Sequence, residues 1–452
     1  MKTTIPIILI TILFLLTSCQ STSVNSSLDR DNLLMKPISF ADNFSTITKV
    51  IDSNTTLNDL LSIAAFNNAS LKSAYLKWQS ELFKVYPAGA LPDPHLSYTY
   101  YVQEVETRVG AQKNAIALMQ KLPWFGKLDL KKAMQQEMAQ SKKAEYDAVK
   151  NALFSKVEQL YYDYWYLQQS LRIAEENIKL LESLEPISRN KIKVGAGSQD
   201  LIKLQIEIAK VTDIRDSLKL RKIPLDARLN QLLNRPARAQ VGLIAALGKI
   251  PQTWSEKELL AIVKANPELQ KYEHLKSAAT KKIELAGKNR YPDLNIGLKW
   301  IQTNDLFVNT RENGKDPVMA TIGFSIPWNQ RKYGDLIASA KVDYRAISWA
   351  GQEMENKLRA QTKMALYEIE DNLRVLKLYR DTLIPKTEES LNLTLQAYRN
   401  GQESFIGFVD IQRQLLNFQL TLEKSRLNIA KQKTIIEEIT GHKLSKFGET
   451  HE

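Results

Sequence analysis

Residues 318–328 read Val-Met-Ala-Thr-Ile-Gly-Phe-Ser-Ile-Pro-Trp, and this stretch decides the fold. Val318, Ala320, Ile322, Phe324 and Ile326 alternate with Met319, Thr321, Gly323 and Ser325, the period of two that sends apolar side chains to one face of a strand. Pro327 carries no amide hydrogen and so ends the ladder just before Trp328. The same word occurs once more: a less regular alternating segment at 114–122 runs into Leu122-Pro123-Trp124.

Outward from these two words the chain keeps repeating itself. A polar stretch precedes each second strand, Glu104 to Lys113 in one copy and Thr303 to Asp316 in the other. Before it lies a first alternating segment: Leu96, Tyr98, Tyr100 and Val102 after Pro92-Asp93-Pro94, and Leu294, Ile296, Leu298 and Trp300 after Pro292-Asp293. Each copy opens with a helical pattern, 57–86 and 255–288. After each Pro-Trp the pattern turns helical again and predicts helices over 128–193 and 333–398, each roughly 90 Å long at about 1.5 Å per residue.

The long helices carry a heptad seam. Val149, Leu153, Val157, Leu160, Tyr164, Leu167, Leu171, Ala174, Ile178 and Leu181 are spaced by threes and fours, and so are Phe408, Ile411, Leu415, Phe418, Leu422, Ile429, Ile436 and Ile439 on the last returning helix. Glycine then serine at the turns, Gly195 with Ser198 and Gly401 with Ser404, suit a helix C-cap followed by an N-cap. Pro186 and Pro385 are expected to bend or interrupt the outgoing helices, and Pro236 and Gly441 close the two copies. The boundaries that follow are a first structural repeat over 55–240, a second over 241–441 and a C-terminal tail over 442–452.

The amino terminus is of another kind. Lys2 precedes an apolar run from Ile5 to Leu16 that is short for a bilayer span, and then Leu16-Thr17-Ser18-Cys19. That order is a lipobox, so residues 1–18 are expected to be a lipoprotein signal peptide and Cys19 the site of lipidation, anchored stably by several acyl chains. The Ser-, Thr-, Asn- and Asp-rich stretch over 19–54 reads as a tether.

Composition removes several classes. One cysteine in 452 residues excludes a disulfide framework and a multi-cysteine zinc site. The formal charge of +12 is spread among nearly as many acids, with no concentrated basic face for nucleic acid. His95, His274, His442 and His451 form no metal-binding helical pair, and Gly195-Ala196-Gly197 and Gly248-Lys249 each lack the remainder of a nucleotide-binding loop. Neither an enzyme nor a resident cofactor or metal is expected.

The predicted fold is mainly α with a small β part: duplicated coiled-coil hairpins forming a helical barrel, plus four strands per subunit. Four strands cannot close, and open strand edges are not tolerated in hydrocarbon. Three subunits giving four strands each would close a twelve-stranded transmembrane barrel. The words Leu91-Pro92-Asp93-Pro94, Val105 to Gly110, Leu122-Pro123-Trp124-Phe125-Gly126-Lys127, Asn230 to Pro236, and Leu383-Ile384-Pro385 with Tyr398, Gly401 and Asp410 together resemble the TolC-type outer-membrane efflux proteins.

That resemblance spans nearly all of the mature chain. It implies a homotrimer in outer-membrane lipids that extends into the periplasm and docks a periplasmic adaptor and an inner-membrane pump of the RND type. It also implies adaptor-docking tips at Gly195, Ser198, Gly401 and Ser404, strand-to-helix boundaries at Pro123, Trp124, Pro327 and Trp328, and a periplasmic gate at Asp410, with Gly407 standing where a second acid can occur. The Pro-Trp-Phe-Gly-Lys word leans toward members serving heavy-metal pumps. The competing reading is a lipid-anchored periplasmic coiled-coil scaffold without a pore, which leaves the four symmetric alternating segments and Trp124 and Trp328 unexplained.

Overall fold

A computed structural model describes residues 50–441 apart from 194–197, 243–244, 248–253, 306–313, 401 and 403. The expected signal peptide, Cys19, nearly all of the expected tether, the expected tip residues Gly195 and Gly401, and the tail over 442–452 therefore lie outside the described residues. The chain begins with short helices α1 (Leu57–Asn67), α2 (Ala69–Phe83) and α3 (Val85–Gly89), followed by β1 (His95–Val105) and β2 (Gln112–Leu122). Then come α4 (Lys127–Glu182), α5 (Glu185–Lys193) and the returning α6 (Gln199–Leu232). The order recurs with α7 (Glu256–Val263), α8 (Pro267–Lys288), β3 (Leu294–Thr303), β4 (Val318–Phe324), α9 (Gln330–Leu378), α10 (Ile384–Arg399) and α11 (Phe405–Thr440).

All four of these expected helices are interrupted, each for a local reason. The helix expected over 57–86 stops at Asn68, which accepts from the Leu71 N–H and starts α2 afresh. The helix expected over 255–288 stops in the same way at Asn266, with Pro267 preset at the first helical position of α8. Both asparagines spend their amide on the far end of a returning helix, Asn68 Nδ2 donating to Leu232 O at 2.9 Å and Asn266 Nδ2 to Ile439 O at 2.6 Å. The helix expected over 128–193 is interrupted at Ser183 and Leu184, just before Pro186, and the one expected over 333–398 widens into a π turn at Tyr379–Leu383, just before Pro385. Pro224, by contrast, lies within the continuous α6. Asn266→Ala removes a cap and a buried bond together, and is expected to destabilise by about 2 kcal/mol; a helical circular-dichroism melt that does not move to lower temperature would contradict it.

The heptad positions sit where packing needs them: Leu153, Val157, Leu160, Tyr164, Leu167, Ala174, Ile178 and Leu181 of α4 are buried, as are Phe408, Leu415, Ile429, Ile436 and Ile439 of α11. One core joins α1, α2, α4 and α6 around Leu60, Leu71, Tyr164 and Leu229. A second, around Leu181, Leu204, Tyr398, Phe405 and Phe408, ties both hairpins together near their turns.

The strands form one antiparallel sheet in the order β1-β2-β3-β4, so β1 and β4 are its edges. Its register sorts the side chains by face. Leu96, Tyr98 and Tyr100 lie opposite Leu118, Ile116 and Asn114, and the row continues through Leu298 and Trp300 to Ala320 and Val318. The other face carries Ser97, Thr99, Lys121, Gly297, Lys299, Thr321 and Gly323. β2 reads less cleanly because Asn114 falls on the apolar face, where it accepts from Tyr98 Oη at 2.7 Å and donates to Gln302 Oε1 at 2.8 Å. Eleven-residue β1 and β2 have the length of a transmembrane strand. No helix of the described residues is long and apolar enough to cross a membrane.

Candidate functional site

Strand and helix meet at a junction built on Asp293, the residue before β3. Its Oδ1 accepts from Lys127 Nζ at 2.7 Å and from the Trp124 N–H at 3.0 Å, while Lys121 Nζ lies 3.3 Å from Oδ2. Its own backbone pairs with Ser325 beyond β4, the Ser325 N–H donating to Asp293 O at 2.9 Å and the Asp293 N–H to Ser325 Oγ at 2.7 Å. One residue thus holds four segment ends: its carboxylate ties the end of β2 and the start of α4 to the start of β3, and its backbone ties the start of β3 to the end of β4. Burial opposes ionisation of Asp293, but the Lys127 ammonium, the Trp124 N–H and Lys121 outweigh it and keep the carboxyl below its ordinary range.

The sequence around the first Pro-Trp follows from this node. After Pro123, Trp124 stacks on Tyr291 with ring centroids 5.3 Å apart, and Gly126 turns the chain through φ +76°, a left-handed conformation open to glycine, into α4. Lys127 is consequently buried with its ammonium on Asp293 and on Tyr291 O. The second Pro-Trp is dressed differently: Trp328 is 87% exposed after Pro327. At the opposite end of the strands, Gly110 closes the β1–β2 turn at φ +130°, where a Cβ would stand 1.7 Å from Asn304 O.

The helix turns form the second candidate site. Ser404 caps α11, its Oγ accepting from the Gly407 N–H at 3.3 Å. Ser198 precedes α6 but makes no side-chain cap bond, because its backbone is already helical at φ −69° and ψ −6°; the capping expected of it is not formed. Behind these turns Tyr398 is fully buried, its hydroxyl 3.1 Å from Ser188 Oγ, with Phe405 at 5.7 Å between centroids.

About two turns further along, Arg413 of α11 grips Glu207 of α6, Nε to Oε1 at 2.8 Å, with a second guanidinium nitrogen on Oε2. Glu207 is buried, and its hydrogen bond to Arg413 raises the guanidinium's affinity for its proton further. Asp410 stands beside this latch, 3.7 Å from Arg413 and 60% exposed at its side chain. Sequence reasoning selected Asp410 and passed over Glu207 and Arg413, whose only signal was opposite charge on two returning helices. Among the described residues no group of three His, Cys, Asp or Glu side chains could hold a metal ion.

Comparison with known proteins agrees with this architecture. Residues 261–442 match the outer membrane efflux protein family. The chain superposes on the outer-membrane channel OprN with a TM-score of 0.72 at 13% identity, covering 88% of this chain and 95% of that one. CusC, described for its transmembrane channel formation, gives 0.69 at 18% identity over 90% and 96%. The open state of the MtrE outer-membrane channel of Neisseria gonorrhoeae gives 0.68 at 16% identity over 86% and 89%. Comparison with curated protein sequences gives no match. The match to the outer membrane efflux protein family thus falls on residues 261–442, within the second copy of the pattern, on a chain that has the fold of solved outer-membrane channels.

Proposed function

We propose that this chain is the outer-membrane exit duct of a tripartite efflux system, working as a homotrimer whose twelve strands close a barrel and whose helices continue it as a periplasmic tube. The observation that carries the reading is the sheet: one face is mostly apolar, the other mixes Ser97, Thr99, Lys121, Gly297, Lys299 and Thr321 with Met119, Ile301 and Met319, and the sheet ends in two edges that hydrocarbon cannot leave unpaired. Its apolar face would meet lipid and its mixed face line the lumen. Trp124 and Trp328 fall at the level where indole rings suit a membrane interface.

In this reading the turns at 195–198 and 401–404 meet a periplasmic adaptor, beyond which sits an RND-type inner-membrane pump. Cys19 carries the lipid that fixes the amino terminus to the membrane, and the chain is divided into a tether to residue 54 and repeats over 55–240 and 241–441. The Pro-Trp-Phe-Gly-Lys word favours heavy-metal cations as cargo. Selectivity would then reside in the pump, since Met119, Met134, Met138, Met319, Met354 and Met364 are scattered. Asp410 supplies one carboxylate per subunit at the periplasmic mouth, where three together hold cations and repel one another.

Purified lipid-extracted protein is expected to run as a trimer and to conduct in planar bilayers. A monomer that never conducts would transfer the chain to the periplasmic-scaffold class. Asp410→Ala is expected to raise the open probability several-fold and weaken its dependence on divalent cations; unchanged currents would leave Asp410 a solvated surface acid. Cys19→Ser is expected to abolish lipid labelling without altering the helical spectrum, and retained labelling would remove the anchor from that site.

A further inference from the structure

The two hairpins of the sheet are related by numbering as well as by shape. Pro92 and Pro292 are 200 residues apart, while Pro123 and Pro327 are 204 apart. Moving β1 by the first offset and β2 by the second carries the pair His95 with Met119 onto Asn295 with Gly323, and that pair is observed between β3 and β4. The correspondence therefore holds residue for residue, and β2 against β3 is a contact between the second strand of one copy and the first strand of the next.

The sheet's two edges are the same pair of partners, left apart: β4 is a second strand and β1 a first strand. We infer that the seam between neighbouring subunits repeats the seam within each, β4 pairing with β1 of the next subunit so that Phe324 lies opposite Leu96, with Asp93 of that subunit bridging Arg331. This rests on the homotrimer reading above and assigns its register. The internal pairs Gln120 with Ile296, Leu118 with Leu298 and Ile116 with Trp300 become Phe324 with Leu96, Ile322 with Tyr98 and Ala320 with Tyr100. Parity supports the assignment independently. It sets the exposed apolar face of β4 beside the exposed apolar face of β1, whereas a slip of one residue would turn one of them into the lumen.

The junction repeats with the strands. Asp293 corresponds to Asp93, Lys127 to Arg331, Trp124 to Trp328 and Tyr291 to Leu91. Inside the subunit the first set is mutually packed, yet the second set is open to solvent: Asp93 is exposed, Trp328 and Leu91 are 87% and 55% exposed, and the Arg331 side chain is 93% exposed, with Asp335 3.9 Å away. An acid on the β1 side and a base on the β4 side face a second copy in complementary order. A guanidinium in place of the ammonium also gives the exposed pair a fork able to hold a carboxylate bidentately.

Two measurements on the full-length protein test this. Oxidation of Leu96→Cys with Phe324→Cys is expected to give an SDS-stable ladder up to three subunits, because directly opposed Cα atoms lie about 4.5–5.5 Å apart, within disulfide reach. Leu96→Cys with Ser325→Cys or with Ile322→Cys is expected to cross-link several-fold less. Asp93→Arg and Arg331→Asp are each expected to lower the fraction of trimer surviving mild SDS several-fold, and the two together to recover most of it. Preferential cross-linking of a shifted pair in a wild-type trimer, or a double exchange no better than the single ones, would overturn the assignment while leaving the duct reading standing. A wild-type protein that is monomeric in mild detergent would instead remove the duct reading and this seam with it.

Discussion

Asp293→Ala is expected to be the most disruptive single substitution outside the helical core, with little or no properly inserted protein recovered from membranes. The carboxylate accepts from Lys127 and the Trp124 N–H and stands against Lys121. Its removal strands the Lys127 ammonium, whose side chain is 8% exposed and whose other contact is Tyr291 O. Breaking a buried pair by deleting one partner costs about 3–5 kcal/mol. The backbone pairing with Ser325 remains, so the strands lose their anchorage to α4 before they lose each other. Asp293→Asn keeps the acceptor but not the charge and should fall between the two. The pH dependence has a definite sign. Because the folded carboxyl titrates below its unfolded value near about 3.9, its stabilisation is complete above that pH and is lost as pH falls through the lower, folded value. Thermal stability of wild type should therefore decline on acidification more than that of Asp293→Asn, and parallel pH profiles would show that the charge contributes nothing.

What could be read from the sequence were patterns that repeat at short range. The heptads of α4 and α11 and the alternation in β3 and β4 are visible because burial recurs every three to four residues or every two, and those side chains are buried or sided accordingly. Features made by contact between distant segments were not legible. Asn68 and Asn266 each join residues more than 160 positions apart, and Glu207 meets Arg413 across 206. A local cue did exist for Asn266, since asparagine before proline is a helix-start signal. Asp293 lay inside a word singled out for its prolines, but its role depends on Trp124 and Lys127 arriving from the other copy. Ser198 and Ser404 occupy matching places after a glycine turn, yet only Ser404 has the extended backbone, at φ −80° and ψ 152°, that lets its hydroxyl reach the helix N-terminus. Spacing named both sites without fixing their dihedrals.

If the chain works as the proposed duct, Arg413→Ala is expected to loosen the end of the paired hairpins near Ser198 and Ser404 more than Asp410→Ala does. Arg413 holds α11 to α6 through the buried Glu207, so its loss leaves a carboxylate inside the helix interface, with Lys210 at 3.8 Å as the nearest other cation. Arg413 is 44% exposed at its side chain, and that access to water reduces the cost from the about 3–5 kcal/mol of a fully buried pair to about 2 kcal/mol. Near about 1.4 kcal/mol per decade, this shifts a closed-to-open balance by more than tenfold, provided the two helices part on opening. Leak should appear as higher spontaneous conductance in bilayers and as sensitivity of producing cells to large antibiotics. Glu207→Gln removes the buried charge while retaining an acceptor, so it should leak less than Arg413→Ala despite breaking the same ion pair. That ordering separates an electrostatic latch from simple loss of packing: equal leak from both variants, or a lower melting temperature with unchanged conductance, would mean that Glu207 and Arg413 stabilise the tip without governing its opening.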